Sequence, residues 1–133
     1  MQIAATVRSS LAGHAAAVRT GETTQSVPIA RKSTGPGSGV NGGEFLMLAL
    51  ATCYCNDLFR EAQRLGIAID EVEVEAQAEF PGIGLAATEI TYRARVRSSA
   101  GEEKIRQLLK ETDAVAEVHN TVRAGVGVRL VNE

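Results

Sequence analysis

The segments EVEVEAQAEF (71–80) and EITYRARVR (89–97), on either side of the turn-like PGIG (81–84), decide the fold. Val72, Val74, Ala76, Ala78 and Phe80 alternate with Glu71, Glu73, Glu75, Gln77 and Glu79. In the second segment Ile90, Tyr92, Ala94 and Val96 alternate with Glu89, Thr91, Arg93, Arg95 and Arg97. A period of two sends one side of a strand to a core and the other to water, and two such runs across a Gly/Pro-bearing loop make an antiparallel hairpin. Centring the pairing on Gly84 sets Glu75 against Arg93, Glu73 against Arg95 and Glu71 against Arg97. Each such pair contributes roughly 0.2–1 kcal/mol. Cross-strand pairing therefore accounts for the arginine row without an anion site.

Upstream, Glu44 to about Leu65 reads as one helix, with Gly66 placed to end it. Its first half, FLMLALA (45–51), is apolar all round and must be buried on most sides; Asn56 to Arg64 turns amphipathic and polar. Before it lies TGPGSGVNGG (34–43), five glycines in ten residues, a loop. Ile3–Val7, Ala15–Arg19 and Gln25–Ala30 read as a three-stranded meander broken at Gly13 and Gly21. Downstream, Ser99 and Glu102 are spaced as a capping box for a helix carrying Ile105, Leu108 and Leu109, up to about Thr112. A short helix from Asp113 to about Thr121 follows, with Val115 and Val118 expected inward, and GVGVRLV (125–131) alternates as a last strand. The expected architecture is one α+β domain over residues 1–133, in the order βββ-α-ββ-αα-β.

The chain has 133 residues, with 14 Lys plus Arg against 16 Asp plus Glu and a formal charge of −2. That balance argues against a dedicated nucleic-acid binder, and no nucleic-acid partner is expected. The longest apolar stretch, Phe45 to Cys55, is about half the roughly 20 residues a membrane-spanning helix needs. The N-terminus lacks the pattern of a secretory signal, and two cysteines two positions apart cannot staple a fold; the expected location is the cytoplasm.

Two features invite a chemical reading. Gly37-Ser-Gly39-Val-Asn-Gly42 matches G-x-G-x-x-G, but no strand runs straight into it and no parallel strand follows, so dinucleotide binding is not expected. The second feature is the cysteine pair. Two positions on a helix are about 200° apart. Cys55 lines up with Leu48, Ala51, Leu58, Phe59 and Ala62, a core stripe, whereas Cys53 sits where the apolar stripe gives way to Asn56, Asp57 and Arg60. Cys53 is thus the candidate reactive thiol, with Asp57 placed to raise its pKa and Arg60 to lower it. A free cysteine also serves simply as a small hydrophobe, and spacing alone leaves that reading open. The two thiols diverge and form no ligand pattern with His14 or His119, so neither metal nor cofactor is expected; His119 reads as a surface or capping residue.

GVNGGEFLMLALATC (39–53) is similar to G-x-N-P-E-E-L-L-x-A-A-L-A-x-C of the OsmC/Ohr family, the osmotically inducible and organic hydroperoxide resistance proteins, and VHNTVRAGVGV (118–128) extends the resemblance. It implies an antiparallel sheet wrapped around a long central helix in an intertwined homodimer, with sites at the subunit interface. It also implies thiol-dependent reduction of organic hydroperoxides, with Cys53 attacking the O–O bond and passing to sulfenic acid. Two positions depart from the family pattern. Its second cysteine falls on Ala116, and the first glutamate of its P-E-E segment falls on Gly43, leaving Glu44. Glu44 with Arg19, or Arg8, would be the supporting residues, and an external thiol would have to reduce the sulfenate. The alternative is a dimeric, non-catalytic protein holding a small apolar ligand in the pocket.

Overall fold

The computed structural model describes residues 1–131, which divide into two compact units, residues 1–45 and the remainder of the chain. The first unit holds β1 (Ile3–Ser10), β2 (Gly13–Thr20) and β3 (Thr23–Ser26), an antiparallel sheet in the order β1-β2-β3. Ala4 faces Arg19 and Val7 faces Ala16 across the first ladder. The third strand was expected over Gln25–Ala30 but closes at Ser26. After Val27 donates to the Ala16 carbonyl, Pro28 has no N–H to continue the ladder.

The glycine loop folds back on itself through a bridge between Arg31 and Ser38. The Gly39 N–H donates to the Ala30 carbonyl at 2.8 Å, and a Cβ at Gly39 would stand 2.9 Å from that oxygen. The Gly37 N–H is taken by the Ser9 hydroxyl. Amides spent on the chain itself cannot cradle a phosphate, so the G-x-G-x-x-G match here is a turn.

α1 (Gly42–Leu65) begins in the first unit and runs through the second. Its start is a reciprocal cap: the Glu44 N–H donates to Asn41 Oδ1 at 2.8 Å, and the Asn41 N–H to Glu44 Oε1 at 3.0 Å. Gly66, at φ +69°, ends it in the left-handed conformation that glycine adopts without strain.

In the second unit β4 (Glu71–Glu79) and β5 (Glu89–Arg97) form the expected hairpin in the expected register. Arg93–Glu75, Arg95–Glu73 and Arg97–Glu71 stand at 3.0, 3.2 and 3.1 Å. All three pairs are well exposed, so water and salt weaken them. A double-mutant cycle with alanine at Glu73 and Arg95 is expected to give a coupling of about 0.5 kcal/mol that shrinks as salt is added. A coupling insensitive to salt would contradict the exposed geometry.

The inward row of the hairpin (Val72, Val74, Tyr92, Ala94, Val96) lies against Tyr54, Leu58 and Ala62 of α1, with Ile67, Leu108 and Ala116 completing the core. The 3.6-residue period of α1 brings 54, 58 and 62 to one side, and Leu58 and Leu108 are fully buried. α2 (Glu102–Val115) and α3 (Glu117–Ala124) follow.

Three expectations in this region are corrected. The Ser99–Glu102 capping box does not form: α2 starts at Glu102 with Gly101 as its cap, leaving Ser99 too far back to reach the free amides. Its neighbour Ser98 bonds the Ala68 carbonyl and the Ala100 N–H instead. The break between the helices falls at Ala116 rather than near Thr112, which turns Val115 outward. Residues 126–131 form no strand within the chain, because alternation supplies a strand's pattern but not the ladder partner it needs. Otherwise the element order agrees with the sequence reading: α+β, antiparallel sheets and three helices. Among the described residues no helix is long and apolar enough to cross a membrane.

Candidate thiol site

Cys53 lies midway along α1, half-buried and packed against the core cluster. Its thiol has two carboxylate acceptors, Asp57 Oδ2 at 3.7 Å, one turn on, and Glu117 Oε2 at 3.8 Å, at the start of α3. One S–H proton can serve only one of them at a time. Asp57 is 5% exposed, whereas Glu117 is on the surface. Arg60 Nη1 lies 3.0 Å from Asp57 Oδ1 and 3.9 Å from Glu117 Oε1, and its Nε reaches Glu61 at 3.4 Å.

These contacts decide the electrostatics. Burial pushes the Cys53 thiol up, the Val118 backbone N–H works the other way, and Asp57 and Glu117 both add to the rise. Burial and then Glu117 also raise Asp57, against the pull of Arg60. Glu117 is held down by its own backbone N–H and by Arg60. Asp57 acts as the sequence led one to expect, but Arg60 is drawn to the carboxylates and does not lower the thiol. The Sγ and one oxygen each of Asp57 and Glu117 lie within 4.8 Å of one another, so these are the side chains that could hold a cation here.

Cys55 is also half-buried, and the stripe it shares is mixed: Leu58 and Ala62 are core, whereas Leu48 and Phe59 are exposed. The buried row of α1 runs through Leu50, Tyr54, Asp57, Leu58, Glu61 and Ala62. Asp57 and Glu61 enter that row because Arg60 and Arg64 neutralise them. Glu44 and Arg19 lie in the 1–45 unit and are engaged there. Glu44 caps α1, while Arg19 donates to the Gly21 carbonyl at 2.6 Å and to Gln2 Oε1 at 3.3 Å.

Position 116, where the resemblance puts a second cysteine, is a fully buried alanine capping α3, directly before Glu117. Beside it is a group that sequence reasoning missed. His119 is 3% exposed, not at the surface, and is packed between Tyr54 and Tyr92 at ring separations of 5.7 and 4.5 Å. Tyr54 donates to the Leu109 carbonyl at 2.7 Å, and Tyr92 donates to Asp113, which Arg123 also holds at 2.6 Å. Burial pushes the Tyr54 hydroxyl up to about 12. A lone imidazole adds nothing to a hydrophobic period, so only the spacing of Ala116 and His119 along one helical face could have flagged it.

Neither nitrogen of His119 has a hydrogen-bond partner among the described residues. Burial and then Arg123 hold the imidazole below its ordinary value, against Asp113. The folded state therefore binds fewer protons than the unfolded one, and stability falls as pH drops through the unfolded value of about 6.5 towards the lower folded one. His119→Phe is expected to flatten that decline in urea titrations run over this window. An unchanged slope would remove His119 as its source.

The OsmC family model, described as OsmC-like protein, matches residues 35–131. No curated protein matches the sequence. Among solved structures, an OsmC-like protein of unknown function from Vibrio cholerae superposes with a TM-score of 0.64 at 13% identity, covering 91% of this chain and 93% of that one. An organic hydroperoxide resistance protein from Elizabethkingia anophelis gives 0.62 at 16%, over 92% and 89%. An OsmC-like protein from Mycoplasma pneumoniae gives 0.61 at 17%, over 89% and 86%. At such identities the likeness concerns the fold.

Proposed function

Because the chain belongs to the OsmC-like family, we propose that it is a one-cysteine thiol peroxidase, reducing organic hydroperoxides through Cys53. The observation that carries this reading is the placement of Cys53: half-buried against the core cluster, with its thiol within reach of Asp57 and Glu117. The hydroperoxide resistance function named for the Elizabethkingia relative supports the substrate class. Cys53 gives up two electrons to the O–O bond and becomes a sulfenic acid. Ala116 offers no thiol beside it, so two equivalents of an external thiol complete the cycle through a mixed disulfide. A cytoplasmic setting, rich in small thiols, suits that requirement. We further propose a homodimer, because the 126–131 segment exposes Val128 and Leu130 almost completely in the single chain.

The test is addition of cumene hydroperoxide with trapping of the sulfenate. Cys53 reacting no faster than free cysteine would defeat the proposal. One observation favours the alternative of a non-catalytic binding protein. The 1–45 unit contains a cavity of about 450 Å³ lined mainly by apolar residues, among them Val7, Val18, Ile29 and Phe45. Its size lies in the range of small-ligand sites. On that reading Cys53→Ser leaves the function intact.

A further inference from the structure

We infer that the open start of α3 is a donor for the Cys53 sulfur: the Val118 N–H holds the sulfur once its proton has left, and Ala116 keeps that N–H free. This rests on the peroxidase reading above. The first amides of a helix have no partner inside it, and a side-chain oxygen at the preceding residue ordinarily takes one of them. At α3 that residue is Ala116, which offers no oxygen, and no side chain caps the helix. The first backbone bond of α3 runs from the Asn120 N–H to the Ala116 carbonyl, so the amides of 117–119 lie ahead of the helical ladder. Yet this end is not in water: Ala116 is fully buried and His119 is 3% exposed. A buried amide needs an acceptor.

The acceptor at hand is sulfur. Cys53 packs against the cluster that contains Ala116, and Glu117, the first residue of α3, brings its Oε2 to 3.8 Å from Sγ. Burial raises the Cys53 thiol, and the Val118 N–H bonds the sulfur and pulls the other way, against Asp57 and Glu117. A charged acceptor roughly doubles the strength of such a bond, so the donor favours the thiolate, the form that attacks the peroxide. Asp57, Glu117 and Arg60 share this cluster. The donor belongs to the same chain as the thiol, so it acts alongside any cation that a second subunit brings. Ala116 is then a compromise. Serine, threonine, aspartate and asparagine make better caps, but each would spend the amide that the sulfur uses. Alanine makes α3 weaker and leaves the donor open.

Ala116→Ser puts an oxygen where it accepts from the Val118 or His119 amide. The urea midpoint is expected to rise, because α3 gains a cap. Oxidation of Cys53 by cumene hydroperoxide and its alkylation by iodoacetamide are each expected to slow roughly fivefold at pH 7. Ordinary damage to the site lowers stability and reactivity together, whereas competition for the amide moves them in opposite directions. A second protein leaves every side chain in place: Val118 is replaced by its α-hydroxy acid, which turns the amide into an ester and deletes the N–H alone. The same slowing is expected. Should Ala116→Ser be less stable than wild type, the ester protein alone decides. Unchanged rates in the ester protein overturn the assignment, as does a more stable Ala116→Ser that reacts as fast as wild type. A wild-type Cys53 that peroxide does not oxidise defeats the peroxidase reading instead, and the iodoacetamide rates still decide whether the amide serves the sulfur.

Discussion

Cys53→Ser is expected to abolish peroxide-dependent sulfenate formation and thiol consumption, while Cys55→Ser keeps most of both. A serine hydroxyl cannot take up the oxygen that sulfur accepts, so the loss at position 53 should be complete within detection. Both thiols are half-buried, so burial class alone does not separate them. What separates them is company: Cys53 meets Asp57 and Glu117, whereas Cys55 shares its side of α1 with exposed Leu48 and Phe59. Stopped-flow oxidation with mass-spectrometric assignment of the modified cysteine decides between them. Modification falling mainly on Cys55 would assign the chemistry to the wrong side of the helix.

Leu58→Ala is expected to lower stability by about 3 kcal/mol, in the middle of the range for emptying a filled leucine site. Leu58 is 0% exposed and packs in one cluster with Tyr54, Ala62, Leu108 and Ala116, where α1, the hairpin and the two later helices meet. The methyl groups it removes have no replacement, because neighbours held by ring stacking and ladder bonds cannot close the gap. Urea denaturation should show a lower midpoint at an unchanged slope. A loss below about 1 kcal/mol would mean that the core collapses around the alanine.

The parts of the fold that were legible are those in which the information is local. The β4–β5 register could be read because acids on one strand and bases on the other agree at only one alignment. α1 could be read because its pattern runs for six turns and ends at a glycine that adopts φ +69°. The strand expected at 125–131 failed because its pattern is local but its partner is not. The site divides in the same way. Asp57 lies one turn from Cys53 and was visible; Glu117 is 64 positions away and was not. Arg60 was assigned the wrong partner, since spacing places a guanidinium near both sulfur and carboxylates but does not say which attracts it. The carboxylates win because they carry full charge while the thiol is neutral. His119 was misplaced because α3 is only eight residues long, too short for periodicity to distinguish its faces.

The β4–β5 hairpin also governs what can be added beside it. The outward rows differ in sign: β4 presents Glu71, Glu73 and Glu75, and β5 presents Arg93, Arg95 and Arg97. Among the described residues this sheet has two strands, so each strand keeps one edge that no described residue pairs. A newcomer docking there places its side chains about 4.8 Å from that row. A second β4 on the β4 edge would set carboxylate against carboxylate, and a second β5 on the β5 edge would set guanidinium against guanidinium. Joining like edges about a two-fold axis is therefore disfavoured, whereas a strand of opposite sign is welcomed. The charge pattern that aligns the hairpin thus discriminates among strands that could lengthen its sheet, and it guards each open edge against pairing with the same edge of a second copy.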